Sequence, residues 1–322
     1  MSQGFVPPPY PYDRLKEIFA IAERTHGEVV DLSIGTPCDP PPRIVLDAIR
    51  ESGSERGYPP SPGTPALREA ICAWFDSFLG VSVSSSQTAA TVGSKEFVAG
   101  LPHWLKLRTP DRSVVLYPEV AYPSYAMGAT LAGCEPVAVP VRSDFSMDLG
   151  AIPRDKAEKA LCLWVNSPGN PAGGLEDLEA AAAWGRAHSV PVFSDECYVA
   201  FTWTGQPASI LQHGTDGVVA VHSLSKRTNL AGMRVGFYAG DAELVHYLSE
   251  VRKHAGFMVA GPSQAAATAA LGDERHVDEQ RERYWRRLER MARILEQLDV
   301  AVEMPQGAFY LFPEAPDGDA WK

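Results

Sequence analysis

The sequence predicts an α/β protein in which a mostly parallel, mixed sheet is sandwiched by helices, with a smaller α+β domain beside it. Three observations point there. Short, nearly continuous apolar runs rich in β-branched residues recur through the middle of the chain. Helical patterns alternate with them, and a long, highly charged helix follows. Unbroken apolar strands are buried on both faces, as a parallel sheet covered by helices requires.

The runs are SVVLY (113–117), 135–140, LCLWVN (161–166), VPVFSD (190–195) and GVVAVHS (217–223). An alanine-rich helical stretch, 175–188, separates the third from the fourth, after the turn signal GNPAGG. Upstream, proline-rich segments frame a helical pattern at 12–24 and a short apolar strand, VVDLSI (29–34). Helices are expected near 42–52 and at 65–79. The segment 275–298 is a helix with a solvated face, its Arg and Glu residues spaced i,i+3 and i,i+4. The organisation that follows is an N-terminal arm with part of the small domain (1–45), a large domain (46–271) and a C-terminal small domain (272–322), which reads as incomplete.

Composition narrows the function. With 322 residues, 45% hydrophobic and 21% charged, the chain can bury a large core. A net charge of −11 argues against nucleic acid or an anionic membrane as the main partner. The N-terminus lacks the pattern of a signal peptide, and no apolar run approaches the roughly 20 residues that span a bilayer. The expectation is a cytoplasmic protein. Its five scattered cysteines form no C-x-x-C pair and have no histidine spacing suited to zinc, and they read as small buried hydrophobes in a reducing cytosol. An anionic ligand would need a local cluster of donors and positive charge.

Three consecutive strands end in reactive side chains: Asn166, followed by SPGNP with Asn170; Asp195, followed by Glu196, Cys197 and Tyr198; and Ser223, followed by Leu224, Ser225 and Lys226. In parallel sheets ligands gather beyond the carboxyl ends of the strands, so an amide, a carboxylate and an amine converge at one edge.

Here the residues carry a resemblance. SLSKRTNLAGMRVG (223–236) fits S-x-S-K-(x)7-R-x-G and resembles the cofactor-lysine signature of the fold-type I, class I/II aminotransferases. Y-(x)4-G-(x)3-LR (58–68), VGSKE (92–96), PEVAYPSY (118–125), NSPGNPAG (166–173) and SDECY (194–198) agree with that family in order and spacing. The resemblance covers most of the chain. It implies the fold of the type I pyridoxal 5′-phosphate (PLP) transferases and PLP as cofactor, held by Lys226 as a Schiff base. Lys226 would then move the substrate Cα proton. Asp195 would pair with the ring nitrogen, Tyr198 and Asn170 would bond the phenolic oxygen, and Tyr122 would stack on the ring. Gly93, Ser94, Lys95, Ser223 and Arg234 would hold the phosphate. Tyr58 would reach the phosphate of a second subunit, implying a homodimer with shared active sites.

Taken singly, these residues have plainer explanations. Asp195 could be a helix N-cap, Asn170-Pro171 a turn, Gly93-Ser94 a helix start, Tyr122 and Tyr125 core aromatics, and Arg234 half of an ion pair. Cys197, with no His placed to activate it, reads as an inert buried thiol. The S-x-x-K in Ser223–Lys226 also fits a serine–lysine hydrolase, but the S-D-N and K-T-G partners are absent.

VVDLSIGTPCDP, VAVHSLSKRTNLAGMRVGF and VRKHAGFMVAGPSQAA look most like the actinobacterial N-succinyldiaminopimelate aminotransferases. That likeness implies amino transfer between N-succinyl-L,L-2,6-diaminopimelate and 2-oxoglutarate in lysine biosynthesis, with Gly35 and Asn170 near the substrate carboxylate. One feature departs from the family: no arginine follows Arg293 to take the substrate α-carboxylate, and the chain stops shortly after an expected strand, PQGAFYLF. The expectation is a shortened chain. A PLP-dependent C–S β-lyase and a PLP-binding sensor without turnover are the alternatives.

Overall fold

A central seven-stranded sheet organises the computed structural model, which describes residues 4–54 and 56–314. Its strands are β1 (Thr88–Thr91), β2 (Val114–Pro118), β3 (Glu135–Val139), β4 (Ala160–Asn166), β5 (Val192–Asp195), β6 (Val218–Ser223) and β7 (Gly236–Gly240). They lie in the order β1-β7-β6-β5-β4-β2-β3, and only β7 runs against its neighbours.

The five apolar runs became β2 to β6, each within a few residues of its expected bounds. Sequence pattern missed β1 and β7. Strand β1 is only Thr-Ala-Ala-Thr, and β7 begins and ends in glycine, which weakens any strand signal. Packing explains both glycines. A Cβ on Gly236 would come within 2.5 Å of the His222 carbonyl oxygen, and one on Gly240 within 2.1 Å of that of Val218.

Alternate residues along β6 and β7 enter opposite cores. Val218, Ala220, Phe237 and Ala239 pack on one face of the sheet with Trp74 and Phe75. Val219, Val221 and Tyr238 pack on the other with Phe97, Trp104 and Trp164. The helix Pro65–Leu79 starts at an N-cap, Thr64, whose hydroxyl accepts the Leu67 N–H, and ends at Gly80 with φ 64°. The helix Arg275–Gln297 does present charge to solvent, yet Val277, Gln280, Tyr284, Leu288 and Ala292 form a buried stripe at i,i+3/i+4 spacing.

The described residues divide between Thr36 and Pro37 into two compact units. The N-terminal unit carries the helix Leu15–His26, none of whose residues is buried. VVDLSI is not a strand: Val30, Leu32 and Ile34 are exposed, so neither burial nor a ladder holds the segment extended. PQGAFYLF is not a strand either. It makes one isolated bridge, Thr202 to Gly307, and Ala308 at φ 60° breaks any ladder.

Candidate active site

Register sets the first part of the site. In the parallel pair β4–β5, Asn166 lies opposite Asp195, and β6 continues past Val221, the partner of Asp195, to Ser223. All three strand ends therefore open on one edge. Because β7 is antiparallel, its beginning meets the same edge: Gly236 pairs with both Ser223 and Thr91. Arg234, Ser223 and Gly93, distant in sequence, become neighbours through this one reversed strand.

Asp195 is buried, and burial pushes its pKa up. Its Oδ2 accepts from the Tyr125 hydroxyl at 2.9 Å and its Oδ1 from the Cys197 N–H at 3.2 Å. Asn166 shapes the next loop, donating to the carbonyls of Asp195 (2.8 Å) and Pro168 (3.2 Å) and accepting the Asn170 N–H (2.8 Å). Asn170 Nδ2 then donates to the Tyr198 hydroxyl at 3.4 Å, and that hydroxyl lies 2.6 Å from the Tyr310 hydroxyl.

Ser223 caps the one-turn helix Leu224–Arg227, its Oγ accepting the Ser225 N–H at 3.2 Å, and this turn aims Lys226. Burial is the main reason the lysine pKa falls below its usual value, and the nearby Arg234 lowers it further. Its Nζ lies 5.7 Å from the Phe309 ring centroid. Burial also raises the Cys197 thiol well above its usual pKa, which suits an inert thiol.

Opposite the carboxylate lies a corner built for an anion. Gly93, at φ 73°, precedes the helix Ser94–Arg108, whose first N–H groups lack intrahelical partners. The Arg234 guanidinium occupies the space a side chain at 93 would need: a Cβ there would sit 2.2 Å from Nη2. Arg234 is itself at φ 50°, and its Nη1 donates to the Ala231 carbonyl at 2.9 Å. Lys95 Nζ stands 6.0 Å from the Tyr122 ring centroid, and Tyr122 meets Tyr125 edge-on at 6.2 Å.

The structure thus gathers Gly93, Ser94, Lys95, Tyr122, Asn170, Asp195, Tyr198, Ser223, Lys226 and Arg234 at one edge. Tyr58 does not join them; it projects from the surface, 98% exposed. Gly35 belongs to the N-terminal unit. Sequence reasoning missed Phe309 and Tyr310, whose only signal was an aromatic pair after Gly307. It also missed the bond by which Tyr125 holds Asp195.

An anion corner, a buried carboxylate and an amine of lowered pKa at one sheet edge supply the kinds of group that PLP, with its phosphate, ring nitrogen and aldehyde, requires. Fold and site together define a PLP-dependent enzyme of fold type I. Residues 27–320 match the family described as aminotransferase class I and II, and the chain belongs to that family. It is a PLP-dependent transaminase. It is 39% identical to the Streptomyces rimosus 4-dedimethylamino-4-oxo-anhydrotetracycline transaminase OxyQ, covering 95% of this chain and 84% of that one. It is 39% identical to the probable aminotransferase Rv1178 of Mycobacterium tuberculosis (95% and 72%) and 33% to the LL-diaminopimelate aminotransferase of Aquifex aeolicus (95% and 84%). Among solved structures, substrate-bound BacF from Bacillus subtilis superposes with a TM-score of 0.88 at 28% identity, over 98% of this chain and 84% of that one. A mutant of Thermus thermophilus aspartate aminotransferase gives 0.89 at 25%, over 98% and 86%.

Proposed function

We propose that this transaminase moves an amino group between N-succinyl-L,L-2,6-diaminopimelate, or a similar dicarboxylic amino donor, and 2-oxoglutarate, as a step of lysine biosynthesis in the cytoplasm. The observation that carries the chemistry is the largely desolvated Lys226 at the same sheet edge as the buried Asp195, Gly93 and Arg234. Bound PLP supplies an aldehyde that takes up the amino group and a ring that accepts electrons from the substrate Cα. This chain's residues do the rest. Burial leaves the Lys226 amine easier to deprotonate than an exposed lysine, so it can take the Cα proton and return it. Asp195, fixed by Tyr125 and the Cys197 N–H, ionises readily only against a cation, and so holds a proton on the ring nitrogen. Tyr198 and Asn170 serve the phenolic oxygen, and Tyr122 covers the ring. Ser94, Lys95 and Ser223 join Gly93 and Arg234 around the phosphate, and Asn170 faces the substrate carboxylate.

The diaminopimelate assignment is supported by motif likeness and by relatives named LL-diaminopimelate aminotransferases at 32–33% identity. A second substrate class has its own support: the 39% identity to OxyQ makes a ketone on a large polycyclic scaffold a reasonable acceptor. A homodimer fits the exposed Tyr58, free to reach across to a second subunit.

Borohydride reduction of the holoenzyme followed by peptide mapping should find the pyridoxyl group on Lys226. Label on another lysine, or repeated turnover by Lys226→Ala, refutes the mechanism. Supplying amino donors one at a time with 2-oxoglutarate identifies the substrate; glutamate formation from the succinylated diaminopimelate is expected. Pyruvate and ammonia released from cystathionine without an acceptor would point instead to β-lyase activity.

A further inference from the structure

The anion corner rests on a turn, 92–96, and that turn is clamped from behind. Glu96 stands in the first turn of the helix Ser94–Arg108, and its Oε1 reaches back to accept the Val92 N–H at 2.9 Å. The carboxylate is gripped in turn by Arg252, from the last turn of the helix Ala242–His254: Nη1 donates to Oε2 at 2.8 Å and Nη2 to Oε1 at 2.6 Å. Arg252 is 1% exposed. Its guanidinium lies over three rings, 5.0 Å from Trp104, 5.1 Å from Phe257 and 5.4 Å from Phe97.

Burying a guanidinium among aromatic rings is costly unless its charge is paired, and a planar fork on a carboxylate pairs it through two charge-assisted hydrogen bonds. The rings confine the fork, the fork fixes Glu96, and Glu96 fixes the backbone immediately before Gly93. Gly93, at φ 73°, packs so closely against the Arg234 guanidinium that a Cβ there would clash, so an error in that backbone passes directly into the anion corner. Glu96 cancels the charge of Arg252, so the effect travels as geometry.

We propose that Arg252 and Glu96 are positioning residues for PLP, setting the shape of the phosphate-binding turn without touching the cofactor. The proposal rests on the placing of the phosphate at Gly93 and Arg234.

The test compares the affinity of apoenzyme for PLP and for pyridoxal, which lacks the phosphate, by fluorescence titration. Wild type should prefer PLP; equal affinity would refute the phosphate site itself and leave the clamp without a purpose. In Arg252→Gln, PLP affinity should fall about 10-fold, while pyridoxal affinity stays within about twofold. Arg252→Lys, which keeps the charge but offers a single point contact, should fall between wild type and Arg252→Gln, and it carries the test should the latter fail to fold. Glu96→Gln uncovers the Arg252 charge and should still weaken PLP selectively. Equal losses for both ligands, an unchanged preference in folded variants, or tighter PLP binding by Glu96→Gln overturns the proposal.

Discussion

Replacing Gly93 by alanine separates the cost to the fold from the cost to the cofactor site. The new Cβ would sit 2.2 Å from Nη2 of Arg234 and 2.7 Å from its Cζ, at a residue held at φ 73°. At φ 73° and ψ 160° the backbone lies in a region essentially restricted to glycine, which costs an alanine about 1–3 kcal/mol. The clash is with the far end of a flexible side chain, so Arg234 can swing away, and the fold loses little more than the backbone term. The cofactor loses a charge-assisted hydrogen bond of about 1.5–3 kcal/mol, a weakening of PLP affinity of roughly 10- to 150-fold. Gly80→Ala is the control: Gly80 has φ 64° and nothing within 4 Å of an added Cβ. Gly80 sits in the milder αL region at ψ 29°, so by denaturant titration both variants should lose stability, Gly93→Ala the more, and only Gly93→Ala should lose PLP affinity. If Gly93→Ala binds PLP within about twofold of wild type, Arg234 is not a phosphate ligand.

Asp195→Asn should stabilise the apoenzyme, because burial disfavours the charge, yet slow turnover on the order of 100-fold or more; a less stable apoprotein with normal turnover refutes the assignment. Tyr310→Phe removes the hydroxyl 2.6 Å from that of Tyr198 and should lower kcat about 3- to 10-fold while shifting the pH dependence of the cofactor's absorption. An unchanged spectrum would mean that Tyr310 does not act through Tyr198. Glu176 is largely buried, its Oε2 accepts the Met147 N–H, and burial lifts its pKa to about 7. Between its ordinary value and about 7 the unfolded chain has released this proton and the folded one keeps it, so stability falls as pH rises through that window. Glu176→Gln should flatten the slope and gain about 1–3 kcal/mol at pH 8; an unchanged profile sinks this reasoning.

The legibility of the fold follows from burial. β4 could be read because all seven of its residues are buried, leaving an unbroken apolar run. β7 could not, because the same tight packing that places it between β1 and β6 demands glycine at 236 and 240 and so erases the strand signal. VVDLSI shows the converse: apolar, β-prone residues formed no strand where nothing paired with or buried them. Around the site, Lys226 and Asp195 were legible because Asp195 ends one buried strand and Lys226 lies in the turn that follows another. Tyr310 was not, because an aromatic in an irregular segment looks the same whether it packs on a core or bonds a second tyrosine such as Tyr198.

By itself the sequence determined the chemistry: a lysine, a carboxylate, an amide and a phenol attached to strand ends, with the composition of a globular α/β domain. These depend on local order along the chain, and local order is what periodicity and motif spacing report. Tertiary structure alone decided how they meet. The reversal of β7 brings Arg234 against Gly93, burial lowers the pKa of Lys226 and raises that of Asp195, and the helix Ser124–Leu131 and an irregular segment deliver Tyr125 and Tyr310 to their partners. Strand register and desolvation arise from contacts between distant residues, and no short stretch of sequence carries them.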